Sequence, residues 1–244
     1  MYGKYPRSLY LILQDSLPEK DESYNYWINY IHIPDVLDSG IFDRVYRYEA
    51  IGEAKAKYLT VWESDYADLT SQLVDLSRLT EDLRSMGRIW PVFQTIWTQA
   101  YFTVGPAKVH NHKHVTFMTT TITNCGSPSR DGEFNKWYNE MHLPEFLGTG
   151  YYHSAYRYQT LGEPPNKQGK FLALYESDFD MDRLPELFQD LKENWMLEWY
   201  EPLDDTRLKI RQQSGEPSRP NDLILEMVPG WAFNWKSISI SDVE

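Results

Sequence analysis

The sequence predicts an α+β protein in which one β-α-β-β-α-β unit is written twice and the two copies pack sheet to sheet. Three observations carry this. The spacing N-x-W-x-N-x-x-H-x-P occurs at "YNYWINYIHIP" (24–34) and again at "FNKWYNEMHLP" (134–144). Aligning 24–53 with 134–163 gives 12 identical positions of 30, and after a three-residue insertion "KYLTVWESD" (57–65) matches "KFLALYESD" (170–178). Each copy also runs through the same order of strand-like and helix-like patterns. Two copies at so long a period indicate paired domains and not a solenoid.

The elements follow in order. "SLYLILQ" (8–14) and "HVTFMTTTIT" (114–123) are β-branched and apolar, and read as first strands. Tyr24, Trp27, Ile28 and Ile31, and Phe134, Trp137, Tyr138 and Met141, recur at i, i+3, i+4, i+7, which predicts one amphipathic helix per copy. Pro34 and Pro144 are expected to stop these helices, because the residue before proline is pushed out of the helical region. "DRVYRYEAIGE…KYLTVWES" and "HSAYRYQTLGE…KFLALYES" read as strand pairs. "YADLTSQLVDLSRLTEDL" and "DMDRLPELFQDLKENW" read as second helices, and "IWTQAYFTV" (96–104) and "TRLKIRQQ" (206–213) as closing strands. The order is that of the ferredoxin-like split unit. The copies divide the chain into 1–105 and 106–214, leaving 215–244 as a C-terminal extension whose "WAFNW" is aromatic enough to dock on something.

Composition narrows the function. The 244 residues are 41% hydrophobic and 15% aromatic, enough for a sizeable core. The net charge of −12 argues against nucleic acid and against an anionic membrane surface. No apolar run approaches the ~18 residues a membrane span needs, and Leu9–Leu13 is too short for a signal core. A single cysteine, Cys125 in "NCGSPSRDG", forms no internal disulfide and fits a cytoplasmic protein. The phosphate-loop, dinucleotide, H-E-x-x-H and G-x-S-x-G motifs are absent.

With W-x-x-x-x-H-x-P on the first helix of each copy, the chain resembles the dimeric α/β-barrel superfamily, and its EthD-type branch in particular, over residues 8–213. The resemblance implies two ferredoxin-like domains forming one intrachain α/β barrel. Relatives of that fold include cofactor-free cyclases and monooxygenases, haem enzymes such as chlorite dismutases, and proteins without a known role, so fold alone does not choose among them.

Candidate chemistry sits on the repeated helix. Asn135, Asn139 and His142 form a polar strip beside the buried stripe, as do Asn25, Asn29 and His32. At a helix C-terminus the macrodipole favours an imidazolium, and imidazole is the side chain that switches charge near neutral pH. His142 and His32 are therefore candidate general acid/base groups, with Asn139 as orienter and Trp137 lining the pocket; closing the helix onto a nearby carbonyl is the structural alternative. In Tyr46-Arg47-Tyr48 and Tyr156-Arg157-Tyr158 the tyrosines share one strand face and the arginine takes the other. Tyr158 is a candidate hydroxyl donor to an oxyanion, with Tyr48 and Arg157 contacting substrate; core tyrosines, and an arginine paired to Glu63 or Glu176, are the alternative. His153 stands where the first copy has Asp43 and is a further candidate substrate contact; His110, His112 and His114 alternate so that a strand would put all three on one face, as half a metal site.

Three functions follow. The first is a cofactor-free lyase, dehydratase, cyclase or isomerase acting by acid/base chemistry on a small aromatic or polyketide-like molecule. The second is a metal- or haem-dependent oxidoreductase, with ligands among His110, His112, His114, His142 and His153. The third is a non-catalytic small-molecule binding protein. A homodimer through the barrel or the C-terminal extension is the expected assembly.

Overall fold

The computed structural model describes residues 6–51, 56–66, 68–91, 93–105, 108–109, 115–125, 128–162, 164, 169–190 and 232–237. The first half runs β1 (Ser8–Ser16), α1 (Asp21–Trp27), α2 (Ile33–Asp38), β2 (Arg44–Ile51), β3 (Tyr58–Ser64), α3 (Leu69–Ser85) and β4 (Phe93–Thr103). The second runs β5 (Lys108–Val109), β6 (Phe117–Thr123), α4 (Asp131–Trp137), α5 (Leu143–Gly148), β7 (Ser154–Thr160), β8 (Phe171–Ser177), α6 (Leu184–Asp190) and β9 (Ala232–Ser237). This is an α+β fold with an antiparallel sheet and helices, consistent with the ferredoxin-like pattern.

The strands are ordered β4-β1-β3-β2-β9-β6-β8-β7-β5, and β4 also pairs with β7 through Tyr101–Thr160, Phe102–Gln159 and Thr103–Tyr158. β9 bridges the two halves, pairing with β2 on one side and β6 on the other. The segment expected to dock is thus hydrogen-bonded within the chain. The expected closing strand at 206–213 and the far end of the helix at 180–195 lie outside the described residues.

β3 and β8 are buried on both faces, and read as largely apolar runs. One face brings Leu9, Leu11, Leu59, Val61, Leu172 and Leu174 from both halves into a single inner cluster. The opposite face carries two separate clusters under the helices. Tyr24, Trp27, Ile28, Tyr58 and Trp62 fill the first, and Phe134, Trp137, Tyr138, Phe171 and Tyr175 the second. The heptad-like spacing of α1 and α4 puts their aromatic stripe onto the sheet, and Asp68 caps α3 by accepting from the Thr70 and Ser71 amides.

The prolines do not stop the helices. Each helix passes through a wider π turn, Ile28–His32 and Tyr138–His142, and continues into α2 and α5. The Ile33 amide donates to the Ile28 carbonyl and the Leu143 amide to the Tyr138 carbonyl, five residues back. The extra residue moves the carbonyls that a proline ring would strike and absorbs its missing N–H, so Pro34 and Pro144 sit in the first turn of the resumed helix. His32 and His142 are consequently mid-helix, and the expected C-terminal dipole is not there to favour their charged form. Among the described residues, no helix is long and apolar enough to cross a membrane.

Candidate functional site

The repeated histidines lie in the helix–sheet layers, at the end of the π turns. His142 is 8% exposed. Its ring stacks on Trp137 at 5.4 Å and 14°, meets Tyr138 edge-on at 4.6 Å, and has Phe146 and Tyr175 at 5.8 and 6.5 Å. His32 stacks on Trp27 at 4.8 Å and meets Trp62 edge-on at 6.1 Å. Burial against these indoles pushes the His32 pKa down to about 4, with Asp35 pulling weakly the other way, so this imidazole is neutral at pH 7.

The two layers differ where it matters. The second half has Tyr138 where the first has Ile28, and Tyr175 where the first has Trp62. The two phenols meet, hydroxyl to hydroxyl, at 2.8 Å in a buried position. Burial pushes the Tyr138 pKa up, so this phenol stays protonated. Tyr152 replaces Phe42 and makes a 2.8 Å hydrogen bond with Thr119, which occupies the sheet position of Tyr10. The second layer therefore has hydroxyls beside its histidine at the places where the first has Ile28, Trp62 and Phe42, the phenols of Tyr24 and Tyr58 in the first layer bonding to Gln14 and Asp21 instead.

The arginines face the helices and the tyrosines do not. Arg47 donates to Asn29 Oδ1 at 2.7 Å and to Asn25 Oδ1 at 2.9 Å. The expected arginine–glutamate pairing fails at these positions because Glu63 lies on the other face, where Arg44 donates to it at 2.8 Å. Arg157, fully buried, donates to Asn135 Oδ1 at 2.8 Å and stacks its guanidinium over Tyr138 at 4.0 Å. The helix asparagines decide the orientation, because Arg47 finds two amide oxygens there and Arg157 one. Asn139 departs from its counterpart Asn29: its side chain lies against Gly105, whose φ of +85° and missing Cβ make room for it.

Tyr158 and Tyr48 are buried in the inner cluster with Leu172 and Leu59, on the opposite side of the sheet from His142. They join no site with it, and Tyr158 cannot serve as its oxyanion donor. His153 lies at the entry to β7, with Nδ1 at 2.8 Å from Ser154 Oγ. Trp137 and Arg157 do share the His142 layer. His110, His112 and His114 lie outside the described residues, and among the described residues no group of three His, Cys, Asp or Glu could hold a metal ion. A 360 Å³ surface depression on α3, lined by Val74, Ser77, Arg78, Glu81 and Asp82, lies on another element. Sequence reasoning missed Tyr138 and Tyr175. Their signal was the pair of differences between copies, Ile28/Tyr138 and Trp62/Tyr175.

The fold is shared along nearly the whole chain with chlorite dismutases. A variant of the enzyme from Candidatus Nitrospira defluvii, in complex with cyanide, is 10% identical over 97% of this chain and 92% of its own, with a TM-score of 0.55. A second variant of that enzyme has a TM-score of 0.58 at 10% identity, covering 99% and 95%. A protein assigned provisionally as a chlorite dismutase has a TM-score of 0.56 at 12% identity, covering 98% of both chains. No family model and no curated protein matches the sequence. These structural neighbours are enzymes, and they correct one expectation: they are dismutases, not lyases or isomerases.

Proposed function

We propose that the protein is a haem-dependent oxidoreductase whose centre is the helix–sheet layer of the second half, with His142 as the residue that holds the iron. The carrying observation is the asymmetry beside the two histidines: each layer has a buried arginine, but the Tyr138–Tyr175 hydroxyl pair of the second stands where the first has Ile28 and Trp62. The resemblance to a superfamily containing haem enzymes, and the fold shared with chlorite dismutases, support the same reading. The donor set fits the group, since haem iron is commonly held by one neutral imidazole. Ligation uses an in-plane lone pair, which stacking of the ring face on Trp137 leaves untouched. Trp137, Tyr138, Phe146 and Tyr175 pack round His142, so haem would enter this layer only as its rings rearrange.

Bound haem would supply one-electron and oxygen chemistry. The chain supplies the rest. Trp137 and Phe146 exclude water from the imidazole. Tyr138 and Tyr175 hold a proton between two hydroxyls. Arg157, held by Asn135, places positive charge against Tyr138 and favours anionic oxygen nearby.

We also propose that the chain is a tandem of ferredoxin-like repeats of the EthD type, 1–105 and 106–214 with 215–244 as extension, closed as a barrel through the β4–β7 pairing. A homodimer and a cytoplasmic setting belong to the same proposal. With β9 paired on both sides, a dimer would not use that strand. The test is turnover by the full chain incubated with haem, using chlorite and peroxide as trial oxidants. Turnover that disappears in His142→Ala is expected. Absence of turnover with either oxidant would overturn the proposal and favour an aromatic-binding protein without catalysis.

A further inference from the structure

A second polar cluster lies on the inner face of the strands, away from both histidine layers. Glu63 and Glu176 are the repeated glutamates of "ESD". They stand two residues beyond Val61 and Leu174, on the same strand faces as those inner-cluster residues. In the β2–β3 ladder Arg44 is directly opposite Glu63, and in the β7–β8 ladder Ser154 is directly opposite Glu176. Arg44 and Ser154 are equivalent in the sequence repeat. The first half thus carries a glutamate with its own guanidinium, at 2.8 Å. The second half carries the same glutamate with a serine in the guanidinium's place.

We propose that Glu176, with Ser154 and Tyr156, forms a binding site for an organic cation, an amidinium or guanidinium group, that takes the position Arg44 holds beside Glu63. Four features support it. Glu176 accepts hydrogen bonds from Tyr156 and Ser154, so its carboxylate is held in place. Ser154 is in turn in contact with His153 Nδ1, which fixes its hydroxyl. Glu63 acts on Glu176, and Glu176 on Tyr46, so the two ladders face each other; Tyr46, 44% exposed, opens this end to solvent. Tyrosine rings beside a carboxylate suit a flat cation, which can fork onto the carboxylate and stack. Burial raises the Glu176 pKa to about 7, with Glu63 adding to the shift, and an arriving cation would relieve it.

This inference concerns the inner face and stands whether or not the His142 layer takes haem. The experiment is a calorimetric and NMR titration of the full chain with benzamidine, at pH 8 and at pH 5.5. Binding at pH 8 that weakens about tenfold or more at pH 5.5 is expected, as the carboxylate protonates. Glu176→Gln should lose binding at pH 8. Ser154→Arg, which rebuilds the pair of the first half, should block it as well, and serves as the reading if the glutamine variant fails to fold. No binding by the wild-type chain at pH 8, or wild-type affinity in Ser154→Arg, overturns the proposal.

Discussion

The hydroxyl of Tyr138 lies 2.8 Å from the hydroxyl of Tyr175, and the first half of the chain puts Ile28 and Trp62 in the same two places. A buried phenol pair is a costly feature to keep unless it is hydrogen-bonded, and here one hydroxyl donates to the other. Replacing one partner should strand the other. Tyr138→Phe or Tyr175→Phe is expected to lower stability by about 1–3 kcal/mol, and the double variant by less than the sum. Urea unfolding of the three variants measures this. Additive losses would mean that the hydroxyls are not coupled.

Arg47 makes a sharper stability prediction. Its guanidinium is buried between α1 and the sheet, with Asn25 and Asn29 as acceptors and Tyr24 and Tyr58 beneath it. Asn29→Leu removes one acceptor from a buried cation, and a loss of about 1.5–3 kcal/mol is expected. Denaturant midpoints with an unchanged slope would confirm it; a loss below a few tenths would show that water replaces the amide.

The fold was largely legible in the sequence because its signals are local. Strand alternation placed Tyr46, Tyr48, Tyr156 and Tyr158 together and Arg47 and Arg157 opposite, but alternation cannot say which face meets the helices. Asn25, Asn29 and Asn135 held that information, since a buried arginine needs acceptors. The continuation through Pro34 and Pro144 was not legible, because the π turn that admits proline depends on packing of the helix against the sheet. The hydroxyl pair was visible only as two unrelated differences until helix and strand were brought together. β9 had no signal beyond aromatic residues in a polar tail, since it pairs with strands more than a hundred positions away.

Acid should expose His32. Its folded pKa is about 4 against an ordinary 6.5, so as pH falls the unfolded chain takes up the proton first. Stability from keeping this ring neutral is full above about pH 6.5 and is lost as pH falls towards 4. His32→Phe should flatten that part of the pH–stability curve. A curve unchanged in shape would place the acid sensitivity elsewhere.

Glu176 acts with the opposite sign. Its folded pKa, about 7, lies above the ordinary 4.5, so the folded state binds the proton more tightly. Its contribution favours folding below about pH 4.5 and is lost as pH rises to 7. Glu176→Gln should therefore gain stability relative to wild type at pH 8, compared with the same difference at pH 4.5. The two windows overlap, so the variants rather than the wild-type curve separate the two groups.

In the function proposed above the second layer, and not the first, is the functional one, with His142 holding haem. The direct measurement is an absorption titration of the full chain with haem, alongside His142→Ala and His32→Ala. A Soret band saturating near one haem per chain is expected in the wild type and in His32→Ala, and is expected to be lost in His142→Ala. A band that survives in His142→Ala, or none in the wild type, would contradict it.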